Sequence, residues 1–245
     1  MTVEAPVREL RLQIAYNVRH LGGYATKDGN RTASDIVRSA SLHRLSDEAI
    51  EQLSAHGIGA VVDFRSTVER ERDVTPDLSR HGIEVVHAPV FEQDASPVAL
   101  EREFPGFAKV YERMLEMGRS AYKSLFELIA DAPTGVLFHC AAGKDRTGVA
   151  AALALDLAGV DDETIIDDYR VSRSLLTPAF QEWLPRIHER GMDEKRAMQL
   201  MASNPEDMRA TLAHIRNRWG SAEGYLEDIG LSLDAISAVR ARLVA

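Results

Sequence analysis

The chain has 245 residues, 45% hydrophobic and 27% charged, which is globular composition and, against about 100–200 residues per domain, one generous domain and not an array of modules. Lys plus Arg number 29 against 38 Asp plus Glu, a net charge of −9, which argues against broad nonspecific binding to nucleic acid and leaves any basic site local. The one cysteine, Cys140, rules out an intramolecular disulfide and a multi-cysteine metal site, so packing or chemistry is left as its task. No stretch approaches the roughly 18 consecutive apolar residues of a membrane span, and Met1 to Arg11 lacks the apolar core of a signal peptide. The expectation is a soluble protein of the cytoplasm, with export without a leader as the alternative.

In chain order, the elements alternate in the manner of an α/β fold, a sheet with helices packed around it. Ile36 to Ser39 predicts a short strand. Ser46 caps a predicted helix to about His56, with Asp47 and Glu48 in its first turn and Gly57 as terminator. Ile58 to Phe64 is apolar and β-branched at its centre, as a buried strand requires. Ser66 followed by Glu69 has capping-box spacing and starts a short helix. Ile83 to Val90 predicts the next strand. Pro97 to Asp131 is helical with a break near Gly118, and Val136 to His139 is another buried strand. Thr147 to Ala158 has almost no polar face and predicts a central helix ended by Gly159.

A helix follows from Asp161-Asp162-Glu163 past Tyr169 toward Leu176, its acidic cluster from Asp161 to Asp168 read as a solvated start. Pro178 to Arg190 gathers Phe180, Trp183, Leu184 and Ile187 on one side, with Pro185 expected to kink it. Asn204-Pro205-Glu206-Asp207 is a strong helix start, and Met208, Leu212 and Ile215 follow on one face. Met192, Met198, Met201 and Met208 concentrate here, either as core filler or as a surface that repacks around varied contents.

The chemistry lies in His139-Cys140-Ala141-Ala142-Gly143-Lys144-Asp145-Arg146-Thr147-Gly148, which joins a buried strand to a buried helix. There, successive backbone N–H groups converge on an anion with the helix dipole behind them. A nucleotide-binding Walker loop is excluded, because Phe138 stands at its first glycine position and Asp145 follows Lys144. Five residues separate Cys140 from Arg146. Curled around a phosphoryl group, the stretch Ala141, Ala142, Gly143, Lys144, Asp145 and Arg146 supplies backbone donors and a bidentate guanidinium, and Cys140 points at phosphorus. A thiol near helix-terminal N–H groups and an arginine favours its nucleophilic thiolate. His139 is expected to brace the loop and tune that thiolate, Thr147 to hydrogen-bond the sulfur, and Lys144 to add a point charge that suits a second acidic group on the substrate. A carboxylate in an anion cradle must be protonated when phosphate binds, which makes Asp145 the first candidate for general acid; Asp63, at the end of a strand neighbouring the site, is the second. Asp63 and Arg65 either brace the loop through a buried salt bridge or touch substrate.

His-Cys-x5-Arg-Thr-Gly resembles the signature of the cysteine-dependent protein tyrosine phosphatase superfamily, and the loop as a whole resembles its atypical bacterial branch. The resemblance covers most of the chain: Asn17-Val18-Arg19-His20-Leu21-Gly22-Gly23-Tyr24, Arg38-Ser39-Ala40, Val62-Asp63-Phe64-Arg65-Ser66 and Gly220 to Leu226 all have counterparts. Val18 and His20 depart from the usual Phe and Asp. Neither Trp183 nor Trp219 is followed by Pro-Asp, so the acid-bearing loop of animal tyrosine phosphatases is missing, which favours Asp145. Ala141 stands where one class of phosphoinositide phosphatases has a lysine. What the resemblance implies is a single domain over 1–245, with a central, mostly parallel sheet flanked by helices and a helical lid over 177–217. It implies a metal-independent enzyme without cofactor, acting on phosphotyrosine, with phosphoserine, phosphothreonine or phosphoinositide headgroups as further substrates. Inorganic phosphate or vanadate would occupy the loop. Two other classes fit the loop less well: a rhodanese-like sulfurtransferase and a non-enzymatic module binding phospho-ligands.

Overall fold

A computed structural model describes residues 15–92, 105–189, 191 and 193–244. Residues 97–104 of the expected helical stretch, Arg190 and Met192 lie outside them. The elements run β1 (Arg19–His20), β2 (Ile36–Ser39), α1 (Asp47–Ala55), β3 (Ile58–Asp63), α2 (Thr67–Arg72), β4 (Glu84–His87), α3 (Phe107–Met117), α4 (Arg119–Asp131), β5 (Gly135–His139), α5 (Arg146–Leu157), α6 (Asp162–Glu189), α7 (Glu194–Met201), α8 (Pro205–Trp219), α9 (Ala222–Asp228) and α10 (Leu233–Leu243). Among the described residues the strands form one sheet in the order β1-β2-β5-β3-β4. Only β1 runs antiparallel to its neighbour; β2, β5, β3 and β4 are parallel.

Alternation along the strands builds two cores. Ile36, Ala60, Val62, Val136 and Phe138 face the larger one, with α3, α4, α5 and α8 to α10. Val37, Val61 and Leu137 face the smaller one with Ala49, Ile50 and Leu53 of α1. A strand covered on both faces must be apolar at successive positions, and β5, the middle strand, is buried at every residue. Its register sets Ser39 and Asp63 on either side of His139 at the carboxyl ends of three parallel strands, the end of an α/β sheet where ligands bind.

Several local expectations hold. Ser46 accepts from the Ala49 N–H, and Ser66 with Glu69 completes a capping box. Gly118 separates α3 from α4, and α5 is buried along nearly its whole length. Three differ. The helix to Leu176 and the helix from Pro178 are one helix, α6, which carries both Pro178 and Pro185 inside it. Each proline costs a backbone hydrogen bond, but buried Leu176 and Ala179, and the side chains of Glu182 and Trp183 against Tyr16 and Arg44, hold the helix from the side. The expected lid over 177–217 is corrected at its C-terminal end: Met208, Leu212 and Ile215, at positions i, i+4 and i+7, put α8 in the larger core. The methionines divide accordingly, Met208 being buried and Met198 54% exposed. Finally, the acids from Asp161 to Asp168 are not all solvated, because Asp168 is buried. No helix among the described residues is long and apolar enough to cross a membrane.

Candidate active site

The loop from Cys140 to Asp145 leaves β5 and enters α5, so its shape is set by what holds its carbonyls. Gly143 adopts φ +65°, and a Cβ there would lie 2.2 Å from the Ser39 carbonyl oxygen; glycine alone permits both the left-handed backbone and that approach. The carbonyls of Ala142 and Gly143 are turned away from the loop centre. Asn17 Nδ2 donates to them at 3.1 and 2.9 Å, and Arg38 Nη2 donates to Gly143 at 2.8 Å. Asn17 itself is in the left-handed region at φ +56°, and Arg19 Nη1 donates to its side-chain oxygen.

Behind this brace stands a buried charge cluster. Asp168 of α6 accepts from Arg19 Nε at 2.9 Å, Arg38 Nη1 at 2.6 Å and the Tyr24 hydroxyl at 2.8 Å. Burial alone would raise the Asp168 carboxyl, but Arg19 and Arg38 outweigh it and hold it well below the usual carboxylate range. The Arg38 guanidinium, desolvated and beside Arg19, is pushed down to about 10. The N-terminal motif and the Arg-Ser-Ala motif thus act together as the rear support of the loop.

On the other side, Arg146 begins α5 and lies beside α2. Its Nη1 donates to Glu69 Oε2 at 2.5 Å and its Nη2 to Oε1 at 2.8 Å, while Nη1 also reaches the Phe64 carbonyl at 3.3 Å. Glu69 simultaneously accepts from the Ser66 N–H at 2.9 Å. Burial works against both charges, and the mutual hydrogen bonds prevail: Glu69 is held below, and Arg146 above, its ordinary value. A planar guanidinium held along one edge is fixed in orientation.

Cys140 is buried at the base of the loop. His139 is buried too, its Nδ1 3.2 Å from the Cys140 carbonyl and its Nε2 3.8 Å from Asp63 Oδ1; desolvation holds its pKa below the usual imidazole value. Asp63 is occupied by Arg65, which donates to it from Nε and Nη2 at 3.0 and 2.7 Å. Burial pushes the Asp63 carboxyl up, but His139 and Arg65 overcome this and hold it at about 2. Asp63 and Arg65 are therefore a buried brace, and a carboxyl ionised down to that pH is a poor proton donor. Of the two candidates for general acid, Asp63 is thus the one already engaged in a buried ion pair.

Asp145 is partly exposed, and its Oδ1 accepts from the Tyr111 hydroxyl at 2.6 Å. Lys144 is corrected. Its ammonium does not stand free for a second phosphate: it is buried, donates to the carbonyls of Leu200 and Ala202 at 2.7 Å each, lies 3.7 Å over the Phe107 ring and 3.2 Å from Asp145. Thr147 Oγ1 is buried without a hydrogen-bond partner in the structure. Beside Ala141 and Ala142 opens a cavity of about 210 Å³, lined also by Ser41, Glu69, Trp183 and Ile187 among others.

Sequence reasoning missed Glu69, Asp168 and Tyr111. Glu69 was legible only as a helix cap, Asp168 only as one acid in a run, and Tyr111 only as one residue of a helical stretch.

A buried cysteine and an edge-held arginine, at the two ends of a strand-to-helix loop with its carbonyls turned out, define a cysteine-dependent phosphatase. Comparison with known proteins narrows this. Residues 10–245 match the model of the tyrosine phosphatase family, and the chain belongs to that family as a protein tyrosine phosphatase. It is 31% identical over 226 residues to a tyrosine-protein phosphatase of Nostoc commune, covering 86% of this chain and 74% of the relative. It is 30% identical over 232 residues to a putative tyrosine-protein phosphatase of Cupriavidus necator, covering 90% and 83%. The triple specificity protein phosphatase PtpB of Mycobacterium tuberculosis is 26% identical over 271 aligned positions, covering 94% of this chain and 97% of that one.

Proposed function

We propose that the enzyme hydrolyses phosphotyrosine, and with it phosphoserine, phosphothreonine and phosphoinositide headgroups, through a cysteinyl-phosphate intermediate formed without metal or cofactor. The Cys140 thiolate forms the S–P bond as the bond from phosphorus to the leaving oxygen breaks. Asp145 gives that oxygen its proton and then takes one from the water that attacks phosphorus, which releases inorganic phosphate and the thiolate. Arg146 and the N–H groups from Ala141 to Arg146 hold the equatorial oxygens, and Thr147 Oγ1 is free to donate to the departing sulfur.

The observation that carries this reading is the anchored loop: Asn17 and Arg38 fix its carbonyls outward and Glu69 fixes Arg146 from behind, so the remaining donors are preorganised for an oxyanion. Trp183, in the wall of the cavity, supports an aryl phosphate. The breadth of substrates is supported by the name of the mycobacterial relative, not by Lys144, which is engaged elsewhere. A single catalytic thiol without a resolving partner suits a reducing compartment and supports a cytoplasmic site of action.

The test is phosphate release from phosphotyrosine, phosphoserine and phosphothreonine peptides and from phosphoinositides, with EDTA present, by wild type, Cys140→Ser and Asp145→Asn. Cys140→Ser should abolish turnover while still binding vanadate. Asp145→Asn should slow substrates with poor leaving groups more than good ones. Strict dependence on a divalent ion, or equal slowing of all leaving groups, would overturn the mechanism.

A further inference from the structure

Asp145 stands at the N-cap of α5 yet makes no capping hydrogen bond through its side chain. Aspartate is among the residues that cap best, its carboxylate accepting from N–H groups two or three positions on. In this loop those N–H groups are those of Thr147 and Gly148, which follow the cradle of Ala141 to Arg146 at the positive end of α5. A capping Asp145 would set the enzyme's own negative charge against the anion held there.

The geometry points to Tyr111 as the positioning residue that holds the Asp145 carboxylate away from the cradle, with Tyr169 fixed behind it. Tyr111, on α3, is fully buried, and its hydroxyl donates to Asp145 Oδ1 at 2.6 Å. The two phenol oxygens of Tyr111 and Tyr169 are 2.7 Å apart. The single Tyr111 hydrogen goes to the carboxylate, so Tyr169 donates to Tyr111. The rings meet edge to face at 6.0 Å, and Tyr169 is wedged against α5, where a Cβ on Gly148 would come within 3.3 Å of it. Burial, then the charge of Asp145, push the Tyr111 phenol well above its ordinary value, so it stays a donor throughout the working pH range. Lys144 Nζ, 3.2 Å from Asp145 Oδ1, draws the carboxylate to the same side.

This inference rests on the loop being the phosphate site, and the experiment separates the two. Vanadate and inorganic phosphate binding are measured at pH 7 by titration calorimetry for wild type, Tyr111→Phe, Asp145→Ala and the double variant, each checked for an unchanged melting transition. With its donor removed, Asp145 swings onto the α5 amides, and Tyr111→Phe should bind both anions about 5- to 10-fold more weakly. Asp145→Ala should bind at least as well as wild type, and the double variant should match Asp145→Ala. That rescue is what a merely structural role of Tyr111 would not give. Should Tyr111→Phe fail to fold, Tyr169→Phe, which removes the donor behind, should weaken binding in the same direction and be rescued in the same way. Wild-type affinity in Tyr111→Phe, or equal weakening in the double variant, overturns this inference alone. Absence of anion binding in wild type overturns the site and the inference together.

Discussion

Replacing Asp168 by asparagine tests the buried cluster behind the loop. The change is isosteric and leaves one carbonyl to accept, but it leaves Arg19 and Arg38, both almost fully buried, with no carboxylate between them. Removing one partner of a buried ion pair costs about 3–5 kcal/mol; the retained acceptor puts Asp168→Asn at about 3 kcal/mol, a large share of a stability of about 5–15 kcal/mol. For a chain of this length that corresponds to a fall in Tm of roughly 6–12 °C. Asp167→Asn, one residue earlier on the same helix, is the control. The Asp167 side chain is 64% exposed and pairs with Arg170 at the surface, so its loss should stay within about 0.5 kcal/mol. Urea unfolding at pH 7 and pH 3 measures both. Because the folded-state pKa of Asp168 is depressed, its contribution is complete above the unfolded carboxyl value of about 3.9 and declines as pH falls through the folded one. The gap between wild type and Asp168→Asn should therefore be full at pH 7 and begin to close at pH 3. Equal stability of Asp167→Asn and Asp168→Asn at pH 7, or a gap that widens with acid, would refute this account of the cluster.

Glu69→Gln keeps an acceptor for the Ser66 N–H but loses the charge that orients Arg146. kcat/KM on p-nitrophenyl phosphate should fall about 10- to 100-fold, since one hydrogen bond to a charged group is worth about 1.5–3 kcal/mol; a change of less than threefold would deny Glu69 that role. Gly143→Ala sets a Cβ 2.2 Å from the Ser39 carbonyl at positive φ, so vanadate binding should be lost, with retained tight binding counting against the loop geometry. Lys144→Met takes the ammonium from the Leu200 and Ala202 carbonyls. Amide hydrogen exchange in α7 should accelerate about fivefold or more, and unchanged exchange would mean that the contact does not restrain the helix.

The parts of the molecule legible in its sequence are those whose physics is local. The loop between β5 and α5 could be placed because a buried strand, a Cys-x5-Arg spacing and an apolar helix follow one another without interruption. Ser46 and Ser66 announced their helices because a cap acts over three or four residues. The parts that were hidden depend on what arrives from far along the chain. Asp168 lies in a run of acids, and only its neighbours Ile165, Tyr169 and Ser172, all buried, show that its face of α6 turns inward toward Arg19 and Arg38. Glu69 already had a sufficient explanation as a cap, so nothing in the sequence called for its second partner 77 residues away. For Lys144 the charge was evident but its direction was not: an ammonium beside an anion site invites the assumption that it faces the anion, and the fold turned it toward α7 instead.

That lysine has a consequence for how the protein tolerates change. Its acceptors at 200 and 202 are main-chain carbonyls, which every amino acid possesses. Substitutions at Leu200 and Ala202 can accumulate without touching the contact, whereas an insertion, a deletion or a backbone distortion between α7 and α8 would be felt at once beside Asp145. The reaction centre is thus tied to the spacing of a distant segment and is indifferent to its spelling.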